Sequence, residues 1–118
     1  MKNSMKTLHL PLKAEWYRMI ESGVKTEEYR SEKPYWRKRL MRCAKFFDWC
    51  DDGVSCRSCS VYQKKQFRDY THVCFRYGYT SRTMTFEIKD ITIGMGKYEW
   101  GAPTERKVFI IKLGNRIK

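Results

Sequence analysis

The last third of the chain limits the fold more than any other feature. Three runs there, residues 71–77, 83–93 and 107–117, are rich in Thr, Val, Ile, Phe and Tyr. These types fit a pleated, half-buried surface. Gly78, Gly94, Gly96 and the Gly101-Ala102-Pro103 turn punctuate the runs. In the middle run Met84, Phe86 and Ile88 alternate with Thr85, Glu87 and Lys89, which predicts one apolar and one polar face.

The first third reads differently. Residues 7–12 place Leu8, Leu10 and Leu12 at alternate positions, the pattern of a half-buried strand. Pro11 has no amide proton to give, so that strand belongs at a sheet edge or ends there. Over residues 13–22, Ala14, Trp16, Tyr17, Met19 and Ile20 fall near helical spacing, and Gly23 stands where a left-handed C-cap favours glycine. Ser31 as N-cap and Pro34 in the first turn predict a second short helix over 35–41. Two helices and a strand-rich end predict an α+β domain on a curved sheet or small barrel. The 118 residues suit one domain spanning 1–118. Residues 48–70 show no clean period and read as a loop or insertion, with a turn at Asp51-Asp52-Gly53.

Charge narrows the class of partner. The formal net charge is +12, which favours a polyanionic partner, nucleic acid being the usual one. Aromatic residues make up 15%, too many for a disordered basic tail. No apolar run approaches the ~18 residues of a membrane span, and no apolar core follows the basic N-terminus. The expectation is a soluble cytoplasmic domain with no membrane partner. Nothing resembles a Walker loop, a dinucleotide fingerprint or a Ser-His-Asp set, and no cofactor is expected.

Five cysteines, an odd number, argue against a disulfide framework. Cys56-x-x-Cys59 with Cys50 can offer three thiolates to zinc, and Cys43, Cys74 or His72 can complete the set. A single Cys-x-x-Cys without a matched second pair favours ordinary reduced thiols instead, so no metal is expected. His9 and His72 accompany no nucleophile motif, and His9 reads as structural or surface.

The most unusual local sequence is Gly23-Val24-Lys25-Thr26-Glu27-Glu28-Tyr29-Arg30. As a strand it puts Thr26, Glu28 and Arg30 on one face and Lys25, Glu27 and Tyr29 on the other. Burying such a segment is costly unless its charges meet partners. Lys25 can bind a phosphate or act as base or nucleophile, Glu28 can move a proton or read a base edge, and Arg30 can pair with Glu28 or clamp a phosphate. The plain alternative is a solvated strand with surface ion pairs.

Gly23, Lys25, Glu28 and Arg30 form a Gly-x-Lys-x-x-Glu-x-Arg pattern after an amphipathic helix, and this resembles the signature of the ASCH domain family, within the PUA-like superfold. The flanks match too: Leu8-His9-Leu10, the helix with Trp16 and Ile20, Pro34-Tyr35-Trp36 and Arg39-Leu40. Detailed similarity covers about residues 6–42; the runs at 86–91 and 108–111 fit the family's closing strands as patterns. The resemblance implies an α+β fold, a small curved PUA-like β-barrel with two or more helices packed on it. It also implies a cleft where the lysine, glutamate and arginine face RNA, single-stranded nucleic acid or a nucleoside ligand. Some relatives hydrolyse the amide of N4-acetylcytidine with the motif lysine, a threonine and a glutamate. Glu28 stands here at the threonine position, Thr26 is not at the matching place, and Glu87 is a candidate for the distal glutamate. Binding is therefore the expected function. The alternative is a small hydrolase acting on a modified nucleoside or on RNA, with Lys25 and Glu28 catalytic. A protein-interaction module with a basic face is a third class.

A second signal lies just downstream. Tyr35 and Trp36 precede Arg37, Lys38, Arg39 and Arg42, with cations to follow a phosphate backbone and aromatic faces to stack on unpaired bases. On a helix Arg39 and Arg42 share a face with Tyr35, and Trp36 points about 100° away, where with Leu40 it reads as core. Lys25, Glu28, Arg30, Tyr35, Arg37, Lys38, Arg39 and Arg42 are thus the expected nucleic-acid contacts. Arg76, Tyr77, Tyr79 and Arg82 form a lesser cluster that reads as a hairpin end.

Overall fold

The computed structural model describes residues 5–41 and 67–118. The leucine alternation becomes strand β1 (Thr7–Leu12), with Leu8, Leu10 and Leu12 buried and His9 and Pro11 turned outward. Helix α1 (Ala14–Glu21) follows and buries Tyr17 and Ile20. Ser22 closes the helix, and Gly23 takes φ +87°, the left-handed region expected of it. Strand β2 (Glu27–Ser31) starts later than the sequence pattern predicts.

Helix α2 (Pro34–Leu40) is capped at Lys33 rather than Ser31, which ends β2 instead. No side chain caps it; Pro34 begins the helix because its ring fixes φ and its missing amide proton loses nothing in the first turn. Met41 leaves the helix in extended conformation and bridges to Phe67.

Strands β3 (His72–Tyr77), β4 (Thr83–Gly94) and β5 (Val108–Arg116) confirm the three strand-rich runs. The sheet order is β1-β3-β4-β5-β2, with β1 parallel to β3 and every other pair antiparallel. β1 is an edge strand, as Pro11 requires; β2 is the other edge.

β4 is the strand that shapes the sheet. Its first part pairs with β3 and its second with β5, and the β5 register shifts on both sides of Ile88. Such irregularities bend a strand and increase its twist. They also change which parity faces inward. Met84 and Phe86 are buried as the alternation predicts, Ile88 is only half-buried, and Ile91 carries the core beyond it. The result is an α+β arrangement in which a five-stranded sheet curls into a half-barrel, with two helices among the described residues.

The core gathers Leu8, Leu10, Tyr17, Ile20, Leu40, Phe75, Phe109 and Ile111 inside the curl. On β5 the four residues from Val108 to Ile111 are all buried, so both faces of that stretch are covered. The connection 95–107, with a 3-10 turn at Tyr98–Trp100, supplies the outer cover. No helix among the described residues is long and apolar enough to cross a membrane.

Candidate functional site

The curl brings the two edges of the sheet toward each other. Arg30, on β2, donates from Nη2 to the carbonyl of Pro11, on β1, at 3.1 Å. Opposite residues of an antiparallel pair share a face. Glu28 pairs with Ile111 and Arg30 with Phe109, so both project to the core side, as the alternation predicts. Thr26 precedes the strand, is exposed, and gives its carbonyl to the Leu113 N–H.

Lys25 departs from the alternation. It also lies before β2, in a turn whose Lys25 N–H is held by the Met19 carbonyl at 3.0 Å. Freed from strand periodicity, its side chain returns over β2, and Nζ comes 3.3 Å from Glu28 Oε1. Glu28 Oε2 in turn lies 2.8 Å from Arg30 Nη2. One carboxylate thus bridges two cations at the seam.

These charges are buried: Lys25 is 2% exposed and Glu28 6%. Buried charge is stable only when paired and hydrogen-bonded. Lys25 has further partners. Lys25 Nζ donates to the Trp100 carbonyl and sits 5.2 Å over the Trp16 ring and 4.8 Å over the Tyr29 ring. Ring faces attract a cation most strongly where water is excluded. Burial nevertheless pushes the Lys25 pKa down from its ordinary value, with Glu28 opposing the shift. Tyr29 is fixed beside it, donating from its hydroxyl to Glu27 Oε1 at 2.7 Å and accepting from the Lys97 N–H at 3.0 Å. Burial is the largest cause raising the Tyr29 pKa, so the hydroxyl keeps its proton and the donor role.

Trp100 reaches Lys25 because Gly101 turns the chain at φ +103°. A Cβ there would be strained and would lie 3.2 Å from the Trp16 ring. The 95–107 connection is therefore pinned twice, by Lys25 on Trp100 and by Tyr29 on Lys97.

Outside this buried relay lies a cleft of about 490 Å³. Its wall carries three cations, Arg30, Lys33 and Arg106, with Tyr29 and Tyr98, and no carboxylate. Lys33 and Arg106 form no ion pair among the described residues. Tyr98 is 72% exposed.

The basic stretch after the motif is only partly on the surface. Arg39 bonds the Tyr35 hydroxyl at 2.9 Å, so the two share a face as predicted, and Tyr35 is exposed. Arg30 and Arg39 both lie against the Trp36 ring, at 5.0 and 5.3 Å, and Trp36 packs half-buried on the core. Arg37 corrects the expectation of a solvated approach surface. It is 6% exposed and donates from Nη2 to the Glu32 carbonyl at 2.8 Å. The reason is its place three residues before Leu40, on the stripe of α2 that faces inward. Lys38 is half-exposed, and its carbonyl receives two bonds from Arg68. Arg42, Cys43, Cys50, Cys56 and Cys59 lie outside the described residues. Among the described residues no group of three His, Cys, Asp or Glu is placed to hold a metal. Glu87 does not join Lys25: it is exposed on β4, opposite His72, and lines a separate hollow with Lys89 and Asn115.

Sequence reasoning missed Arg106, Tyr98, Trp100 and the Pro11 carbonyl. For the first three the local signal was the Gly101-Ala102-Pro103 turn among aromatic and basic residues; what brings them to β2, and Pro11 to Arg30, is the folding of the sheet and its connection. No family model matches the chain, and neither a curated protein nor a solved structure matches it.

Glu28→Gln removes the carboxylate that bridges buried Lys25 and partly buried Arg30, and stability should fall by about 3–5 kcal/mol in denaturant unfolding; a loss within the ±0.5 kcal/mol usual for surface changes would contradict the geometry. Lys25 binds its proton less tightly in the folded than in the unfolded chain. Folding should therefore strengthen, relative to Lys25→Met, as pH rises from its lowered pKa to the ordinary lysine value. Unfolding midpoints of both proteins across alkaline pH check the sign.

Proposed function

We propose that the chain is an ASCH-like domain of PUA-like fold that binds RNA, or single-stranded nucleic acid more broadly, in the seam cleft. The observation that carries the reading is the cleft wall, with three cations, two tyrosines and no carboxylate. That composition suits a phosphate backbone together with unpaired bases. The half-barrel with two helices and the convergence of Lys25, Glu28 and Arg30 support the family reading.

The roles divide by exposure. Lys33 and Arg106, unpaired among the described residues, contact phosphate. Tyr98 offers a ring face to a base. Arg30 stands at the cleft wall and is aimed by Glu28, the Pro11 carbonyl and Trp36. Lys25 and Glu28 act from behind it as positioning residues. Tyr35, Lys38 and Arg39 extend the basic surface.

The hydrolase alternative draws on one observation, the lowered Lys25 pKa. It requires Lys25 Nζ to meet a substrate, and that amine is covered by Trp16, Tyr29 and Trp100. Binding is the stronger reading for that reason.

The test is fluorescence titration of a single-stranded RNA at several salt concentrations. Replacing Lys33 and Arg106 by Gln should weaken binding and reduce the log–log salt slope by about 0.7 per lost contact. An unchanged slope would remove the cleft from the interface. Release of cytidine from N4-acetylcytidine by the wild type, lost in Lys25→Ala, would replace binding with hydrolysis.

A further inference from the structure

Across β1 from the seam cleft, the outer face of the β1–β3 pair holds a second hollow, of about 230 Å³. Its lining includes His9, Pro11, Cys74, Arg76 and Tyr79. The register explains why these residues meet. His9 lies beside Cys74 and Pro11 beside Arg76 in the parallel pair, while Leu8, Leu10, Val73 and Phe75 take the inward positions. Tyr79 stands on the turn between β3 and β4 and is 97% exposed, so the hydrophobic core does not account for it. Arg76 is exposed and forms no ion pair among the described residues. The neighbouring Arg82 is occupied, by Glu21 at 2.9 Å and by the Tyr17 and Tyr77 rings. Arg76 is therefore the cation this hollow offers.

Pro11 joins the hollow to the cleft. It lines the hollow, and its carbonyl holds the guanidinium of Arg30, which lines the cleft. A residue of the hollow's lining is thus hydrogen-bonded to a residue of the cleft wall.

We propose that this hollow is a second nucleotide subsite, so that one single strand crosses the seam at Pro11 and occupies both concavities. The inference rests on the nucleic-acid reading of the cleft. A base stacks on Tyr79, an arrangement indifferent to base identity because every base has a π-face. The adjoining phosphate meets Arg76. His9, outward beside them, can hydrogen-bond a base edge through either ring nitrogen. The site is thus longer than the cleft alone and prefers a continuous strand to a mononucleotide.

The experiment uses the full chain and fluorescein-labelled oligouridylates of about four and about twelve nucleotides, within the usual span of single-strand sites. Tyr79→Ala and Arg76→Gln change exposed side chains and should leave the fold intact. Tyr79→Ala should weaken the longer strand on the order of tenfold and leave the shorter unchanged. Arg76→Gln should lower the salt slope of the longer strand by about 0.7. Wild-type affinity of both variants for the longer strand, with binding lost when Lys33 and Arg106 become Gln, would overturn the second subsite and leave the cleft standing. Binding of both strands unaffected by the Lys33 and Arg106 changes would overturn the cleft reading and this inference with it. Equal competition by heparin would reduce both to general polyanion attraction.

Discussion

The seam of the half-barrel depends on one carboxylate. β1 and β2 are the two free edges of the sheet, and no strand pairing joins them. Side chains meet there instead. Glu28 holds Arg30, Arg30 reaches the Pro11 carbonyl on the opposite edge, and the other oxygen of Glu28 holds Lys25. An edge strand left open is a template for unwanted pairing, and inward-pointing charge is one known way to protect it. Here the same charge draws in the connection that covers the outer face of β5, because Lys25 binds the Trp100 carbonyl. Removing Glu28 would thus loosen both the closure and the cover.

Buried ionic relays are poor sources of net stability, since desolvation offsets most of the attraction. Their use is in fixing geometry. The rings of Trp16, Tyr29 and Trp36 surround the two cations, so neither moves without disturbing packed aromatic faces. Arg30 therefore enters the cleft wall already oriented. Lys33 and Arg106 beside it form no salt bridge among the described residues. For the proposed single-stranded ligand, a cation already oriented would lower the cost of ordering the surface that receives it.

What was legible in the sequence was what depends on short-range pattern. β1, its edge position through Pro11, α1 with its glycine stop, and the three C-terminal strands all follow from local periodicity and turn chemistry. The shared inward face of Glu28 and Arg30 was legible for the same reason. The failures have physical causes of equal clarity. Lys25 was assigned opposite Glu28 because alternation was carried back past the true start of β2, where a turn frees the side chain to fold over. Ser31 resembled a cap, yet strand pairing with Val108 claims it. Arg37 read as surface because arginine usually is, but its helix has only two turns and places it on the buried stripe with Leu40. The cleft itself was illegible, since Arg106 and Tyr98 reach β2 only after β4 bends at Ile88 and the 95–107 connection folds back.

The proposed site for single-stranded nucleic acid is the outer side of the seam, on the surface the relay positions. Backbone amide shifts of the isotope-labelled chain, followed during titration with a short oligouridylate, test it most directly. The largest changes should fall at residues 29–33 and 98–106, with Lys25 and Glu28 responding as the layer beneath. Changes confined to the separate hollow that Glu87 lines, at residues 70–72, 87–89 and 113–115, would count against the proposal.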